Sequence, residues 1–137
     1  MKYALVVMLG LSVAACSKSS STSTSPTGPS GSDTTISFAS QVQPIFNASC
    51  AVSGCHVAGG SAPMSLEAGK SYSQTVNVSS IEQPALDRVT PFSPDKSYLY
   101  LKITGQGGTR MPLGRAALGS ADVNTIESWI SQGAKNN

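Results

Sequence analysis

The stretch SCAVSGCH, Ser49–His56, predicts more about this chain than any other segment. It places two thiols, Cys50 and Cys55, before His56, which is the single histidine among 137 residues. Two cysteines followed at once by a histidine are the arrangement of covalent haem attachment, in which each thiol adds to a vinyl group and the imidazole reaches the iron. Four residues separate the cysteines, whereas the common motif has two. The stretch therefore predicts a haem-binding loop with a bulge.

The first residues are typical of an export signal. Lys2 supplies the positive end, and the apolar stretch 4–13 is shorter than the roughly 20 residues of a membrane span. Small residues then lead into Cys16, which resembles a bacterial lipobox with Cys16 as the lipidated first residue of the mature chain. The alternative is an ordinary cleaved signal with a chance cysteine. Because Ser17 follows, the sequence predicts an exported protein that is lipid-anchored to the bacterial cell envelope at the outer membrane.

Three parts follow from this: a signal peptide, 1–15, then lipidated Cys16 with a tether, 16–35, then a folded domain, 36–137. The tether is almost entirely Ser, Thr, Pro and Gly, and such a chain is flexible with an r.m.s. span of roughly 25 Å. The remaining length is enough for one domain with one core. Once Lys2 leaves with the signal, eight basic and seven acidic side chains remain, so no nucleic-acid partner is expected.

Three main helices are predicted in the domain. Apolar residues at i, i+4, i+7 and i+8 from Phe38 to Phe46 indicate a helix that runs into Cys50, with a kink or a new helix start at Pro44. A second helix is expected over Ser93–Ile103, since a capping hydroxyl precedes proline and an acid. A third is expected from a cap at Ser120 to Gly133, with an apolar stripe and Trp129 beside it.

Residues 57–91 are the least regular part, with a short helix expected around Leu66–Ser73 and an extended piece at Gln74–Ser79. Three helices alone make a thin core, and a long irregular stretch inside a compact domain is uncommon unless it wraps something. A haem would fill the space. The predicted fold is therefore all-α, with about three main helices and long loops wrapping one haem.

A second axial ligand cannot be another histidine of this chain, so a methionine thioether is expected. Met64 and Met111 are the methionines outside the signal. Met64 lies eight residues after His56, in a loop that would have to fold back sharply. Met111 precedes Pro112, which favours an extended backbone that presents the side chain. Met111 could instead fill a core gap, as methionine often does, but beside the cysteine pair it is the favoured ligand.

Four further motifs carry a resemblance: VQPIF at 42–46, SPDKSYLY at 93–100, RMP at 110–112 and IESWISQGA at 126–134. With the cysteine motif, they make residues 36–135 similar to the small monohaem c-type cytochrome domains of bacterial exported proteins. The resemblance implies an all-α fold with one covalent haem c. It also implies Cys50 and Cys55 as thioether partners, His56 as the proximal ligand and Met111 as the distal ligand.

The function expected from this resemblance is electron transfer at a membrane, with the iron cycling between Fe(II) and Fe(III) and redox partner proteins at the cell envelope. The lipid on Cys16 would supply the membrane contact. Four side chains are candidates for the haem pocket, although ordinary packing explains each as well: Arg88, Tyr98, Tyr100 and Trp129.

Two other functions remain open from the sequence. One is a haem-based sensor, in which a small ligand displaces Met111. The other is a haem-free surface module held by a Cys50–Cys55 disulfide, the ordinary state of paired cysteines after export. Enzymatic activity is not expected, because there is no second histidine and no paired carboxylates.

Overall fold

The computed structural model describes residues 34–137, and this part of the chain is all-α. The predicted signal, Cys16 and nearly all of the tether lie outside the described residues. Within them, β pairing is limited to three isolated bridges, and no helix is both long and apolar enough to cross a membrane. The four α-helices are α1 (Gln43–Ser49), α2 (Ser71–Thr75), α3 (Tyr98–Thr104) and α4 (Ser120–Ser131).

The first predicted helix begins as a π-helical turn, Phe38–Val42, and continues as α1. Pro44 lies in the first turn of α1, where the missing N–H of proline leaves no hydrogen bond unmade. Val42 and Phe46 are buried on one face of this segment. The apolar periodicity therefore predicted the inward face correctly, and Pro44 marks a new start within a continuous helical segment.

The second predicted helix is divided in two, which corrects its expected start at Ser93. A 3₁₀ turn is followed by Ser97 in extended conformation, and α3 begins only at Tyr98. The backbone N–H groups of Tyr98 and Leu99 donate to the carbonyls of residues 87 and 88, each at 2.9 Å. Those bonds to a distant segment compete with the helical ones, and a local capping signal does not reveal them.

The last helix matches its prediction at one end and departs from it at the other. Gly133 follows α4 with a φ of +97°, the left-handed conformation that ends helices. Ser120 is the first helical residue and not the cap, because Gly119 occupies the cap position without a side-chain bond. The short helix expected around Leu66–Ser73 is displaced to α2.

An aromatic core lies where the two ends of the domain meet; its members are Phe38, Phe46, Tyr72 and Trp129. The rings of Phe38 and Trp129 have centroids 5.1 Å apart, and those of Phe38 and Tyr72 are 5.3 Å apart and edge-on. Trp129 is 0% exposed, and its indole N–H donates to the carbonyl of Lys135 at 2.9 Å. This core is closed and its polar groups are paired.

Candidate functional site

A cavity of about 300 Å³ lies on the other side of Phe46 from this core. Cys50, Cys55, His56 and Met111 all line it, although Met111 is far from the other three in sequence. Its walls are mainly apolar side chains, which include Phe46, Leu66, Leu99, Ile103 and Ile126. The fold thus brings the predicted attachment and axial residues to one apolar cavity, and such a cavity is typical of a ligand site.

The attachment loop, residues 50–66, is held by its own backbone. Cys50 ends α1, with its N–H donating to the carbonyl of Phe46 at 2.9 Å. The N–H of His56 donates back to the carbonyl of Cys50 at 3.2 Å, and the N–H of Leu66 donates to the carbonyl of His56 at 2.8 Å. These bonds place both thiols and the imidazole against the same cavity.

The enlarged spacing between the cysteines is taken up by a surface turn. The N–H of Cys55 donates to the carbonyl of Val52 at 2.9 Å, and Ser53 and Gly54 between them are exposed. Gly54 has a φ of +79°, which glycine adopts at little cost. A Cβ on Gly60 would clash with the carbonyl oxygen of Cys55, so the loop packs too closely there for any other residue.

The two thiols are free in this structure, so it does not show the Cys50–Cys55 disulfide of the alternative, haem-free module. Burial raises the pKa of the Cys50 thiol to about 11, against a smaller opposing effect of the Arg115 guanidinium. Cys50 is therefore protonated at neutral pH. A protonated thiol is a poor nucleophile and a poor metal ligand. The Cys50 thiol would therefore react only with a reactive group that enters the cavity.

His56 carries an unsatisfied polar atom. Its Nδ1 is buried and has no hydrogen-bond partner. Burial also lowers the pKa of the imidazole, which keeps the ring neutral at neutral pH. A buried polar atom without a partner costs free energy, about 1–3 kcal/mol, and a neutral imidazole is the form that binds metals. The unpartnered nitrogen is what a site for a metal-containing group would show.

Both methionines line the cavity. Met111 is positioned by α3, because its N–H donates to the carbonyl of Lys102 at 2.9 Å, after Gly105 has ended that helix with a φ of +82°. Met64 belongs to the attachment loop beside His56. The loop does fold back, so the fold places Met64 at the cavity as well as Met111.

The four candidate pocket residues divide into two pairs. Arg88 and Tyr98 line the cavity, whereas Tyr100 and Trp129 do not. Trp129 belongs to the aromatic core, which corrects its predicted place in a pocket, since burial on α4 directs it away from the attachment loop. Tyr100 packs against the hydrophobic cluster of the domain and does not line the cavity.

An ion pair at the cavity, between Lys102 and Glu82, was not predicted from the sequence. Lys102 is only 8% exposed, and its Nζ lies 2.8 Å from Oε2 of Glu82. The hydroxyl of Tyr98 donates to the same carboxylate oxygen at 3.0 Å. The hydrogen bond from Lys102, followed by that from Tyr98, lowers the pKa of Glu82. Helical spacing places Lys102 one turn after Tyr98, but no sequence signal indicates Glu82.

Comparison with known proteins gives one family match, at the start of the chain. A family model described as the cytomegalovirus glycoprotein N terminal matches residues 8–30 of the 137, before the described domain. A match of this extent does not place the chain in that family. No curated protein and no solved structure matches the chain.

This match contradicts the predicted membership of the bacterial c-type cytochromes, because the family that it names is a viral glycoprotein. Electron transfer, which depended on that membership, is corrected with it. The two other predicted functions, a haem-based sensor and a haem-free disulfide module, find no support either. The match agrees with the coarser part of the predicted localisation, an exported and membrane-associated protein, but not with a bacterial outer-membrane anchor.

Proposed function

We propose that the domain is a cofactor-binding module that holds one flat, largely apolar prosthetic group, haem c, in the cavity. The observation that carries this proposal is that Cys50, Cys55, His56 and Met111, from two distant segments, line the same cavity. Its volume of about 300 Å³ is at the lower end for ligand clefts, and the long loops would wrap the group. Haem binding is therefore proposed from the arrangement of donors in the cavity.

The residues present fit such a group. Thiols and thioethers are soft donors, and the imidazole is a common iron ligand. The unpartnered Nδ1 of His56 would gain a partner if that nitrogen bound iron. Haem would supply an iron, which His56 and Met111 would hold, and two vinyl groups. Each thiol would add across one vinyl group, its sulfur bonding to one carbon and its proton passing to the other.

The protein's own contribution is positioning and exclusion of water. The backbone bonds of the attachment loop fix Cys50, Cys55 and His56 on one side of the cavity, and the end of α3 fixes Met111. The apolar walls keep water from this space. We propose no catalytic role for these residues.

The test of the proposal is covalent attachment. The full-length chain is produced with a cytochrome c maturation system, and the denatured chain is stained for haem on a gel. We expect stained wild-type chain, and no staining when both Cys50 and Cys55 are changed to alanine. Cys16→Ala is the matched control, because that thiol lies outside the domain and should leave the staining unchanged. A colourless wild-type chain of native helical content would contradict the proposal.

We also propose the finer localisation and partners expected from the sequence: a lipid on Cys16 that anchors the chain to the outer membrane, and no nucleic acid. Redox partner proteins depended on the corrected electron-transfer function and are not proposed. Radioactive palmitate should label the wild-type chain and not the Cys16→Ala variant. Equal labelling of both chains would contradict the anchor.

A further inference from the structure

The buried lysine at the cavity requires an explanation that haem attachment does not give. Lys102 lies on α3, which otherwise directs Leu99 and Ile103 into the same wall. Lysine is almost never this buried unless it is paired with an opposite charge. Its partner Glu82 is the acidic residue among the lining side chains, against the three basic residues Arg88, Lys102 and Arg115. The charged part of the cavity therefore favours a ligand with negative groups.

The two partners of this ion pair differ in how firmly they are held. Lys102 belongs to a helix and its side chain is 10% exposed. Glu82 lies in a turn between Ser80 and Leu86. The hydrogen bonds of this turn are made by the neighbours of Glu82, whose own side chain is 53% exposed. A ligand carboxylate at the same donors would keep the Lys102 ammonium paired while the half-exposed Glu82 side chain turns into solvent. Lys102 cannot follow it without leaving the wall.

The other groups around the carboxylate are also built into the wall. The hydroxyl of Tyr98 lies 3.0 Å from Glu82 Oε2 and 3.2 Å from the carbonyl of Gly107, so it has a second acceptor if Glu82 leaves. The Nζ of Lys102 also lies 5.6 Å from the centre of the Tyr98 ring. Arg88 is fixed by a 2.7 Å bond from Nη1 to the carbonyl of Gln74. Lys102, Tyr98 and Arg88 thus each have a contact that does not depend on Glu82.

We infer that Glu82 is an internal substitute for a carboxylate of the ligand, and that a carboxylate-bearing flat molecule displaces it from Lys102 and Tyr98. The inference rests on the proposed function, and it names the chemistry of the ligand's polar edge: acidic, as in a porphyrin that carries carboxylates. Before binding, Glu82 keeps the buried ammonium paired. On binding, one carboxylate replaces another at the same donors, and no covalent bond changes.

The experiment is a fluorescence titration of the cofactor-free, full-length chain, with its thiols reduced and in detergent. The probes are protoporphyrin IX and its diamide, which has the same ring but no carboxylates. For wild type we expect the acid to bind about tenfold more tightly than the diamide, which corresponds to one charge-assisted contact. Glu82→Gln should tighten the acid further, by about three- to tenfold, and leave the diamide unchanged. In Lys102→Met the two probes should bind alike.

Glu127→Gln and Lys70→Met are the matched controls, since neither residue lines the cavity, and both should bind like wild type. Helical content by circular dichroism confirms that each variant is folded; if Lys102→Met is not, Glu82→Gln decides the matter alone. Unchanged or weaker binding of the acid by Glu82→Gln would overturn the inference. Equal binding of the two probes by wild type would also overturn it, while the cavity remained a porphyrin site. Binding of neither probe would overturn the proposed function, and the inference with it.

Discussion

The aromatic core and the cavity share Phe46 as a common wall. They differ in whether their polar groups find hydrogen-bond partners within the chain. In the core, the rings of Phe38 and Trp129 are in contact and the indole N–H is paired. In the cavity, the Nδ1 of His56 has no partner and two thiols are free. Within the described residues, the first region is complete by itself, whereas the second contains polar and sulfur groups that lack a partner. A protein interior is normally packed and paired, so departures from this rule indicate function.

The largest effect is expected in the core. Trp129→Ala should lower the free energy of unfolding by about 3–5 kcal/mol, because the indole is fully buried and its removal leaves a cavity. Urea denaturation followed by circular dichroism measures this. Phe92→Ala is the matched control, since Phe92 is 71% exposed and should change the stability by less than about 1 kcal/mol. Similar losses for both variants would remove Trp129 from the centre of the core.

A second prediction concerns the attachment loop. Gly60→Ala should cost about 2 kcal/mol, because the new Cβ would meet the backbone of Cys55 and the loop would have to shift. It should also reduce haem staining, since the same shift displaces Cys55 and His56. Gly119→Ala is the control, because a Cβ there meets nothing within 4 Å and the backbone has no positive φ. Wild-type stability and staining in Gly60→Ala would show that the loop tolerates a different path.

A third prediction separates a structural histidine from one reserved for a ligand. In the cofactor-free chain, His56→Leu should be neutral or stabilising by about 1 kcal/mol, because it removes a buried polar atom without a partner. The same variant should lose haem staining or the spectrum of a ligated iron. Chemical denaturation of the two cofactor-free chains provides the measurement. A destabilisation of about 2 kcal/mol or more would mean that the imidazole supports the fold, and the contrast between core and cavity would weaken.

The smallest effect is expected at Glu82, and it depends on pH. Its folded pKa lies below the ordinary value of 4.5, mainly because Lys102 donates to it, so the ionised carboxylate stabilises the fold. That contribution is complete above pH 4.5 and is lost as the pH falls through the lower, folded pKa. Wild type should therefore exceed Glu82→Gln in stability at pH 6, by less than about 1 kcal/mol because the Glu82 side chain is 53% exposed, and the difference should vanish towards pH 3. A constant difference across this range would contradict the assignment to the carboxylate charge.

The fold was predictable wherever the signal was local and periodic. The stripe from Phe38 to Phe46 and the end of α4 near Gly133 match the structure, because apolar spacing and glycine conformation act within a few residues. The predicted start of α3 was wrong, because the backbone donors of Tyr98 and Leu99 pair with a segment eleven residues earlier. A capping pattern reports only its own neighbourhood, so it cannot show such pairing.

The candidate site also divides into residues that local sequence signals predicted and residues that only long-range packing brings together. Cys50, Cys55 and His56 are neighbours in sequence, so their proximity needed no tertiary information. The absence of a second histidine predicted a methionine ligand, and Pro112 favoured Met111 over Met64. The structure adds Met64 to the cavity and removes Trp129 and Tyr100 from it. It also adds the Glu82–Lys102 pair, whose members are twenty residues apart and carry no motif.

The sequence alone determined that residues 34–137 are all-α, where the first and last helices of this domain bury their apolar faces, and which loop carries the two thiols and the imidazole. Those properties depend on the order of residues over one or two turns. The tertiary structure alone decided which side chains share a cavity and which atom there lacks a partner. It also decided that a lysine would be buried against a surface carboxylate. Such properties arise when segments distant in the chain pack together, and a linear pattern does not record which distant side chains will meet.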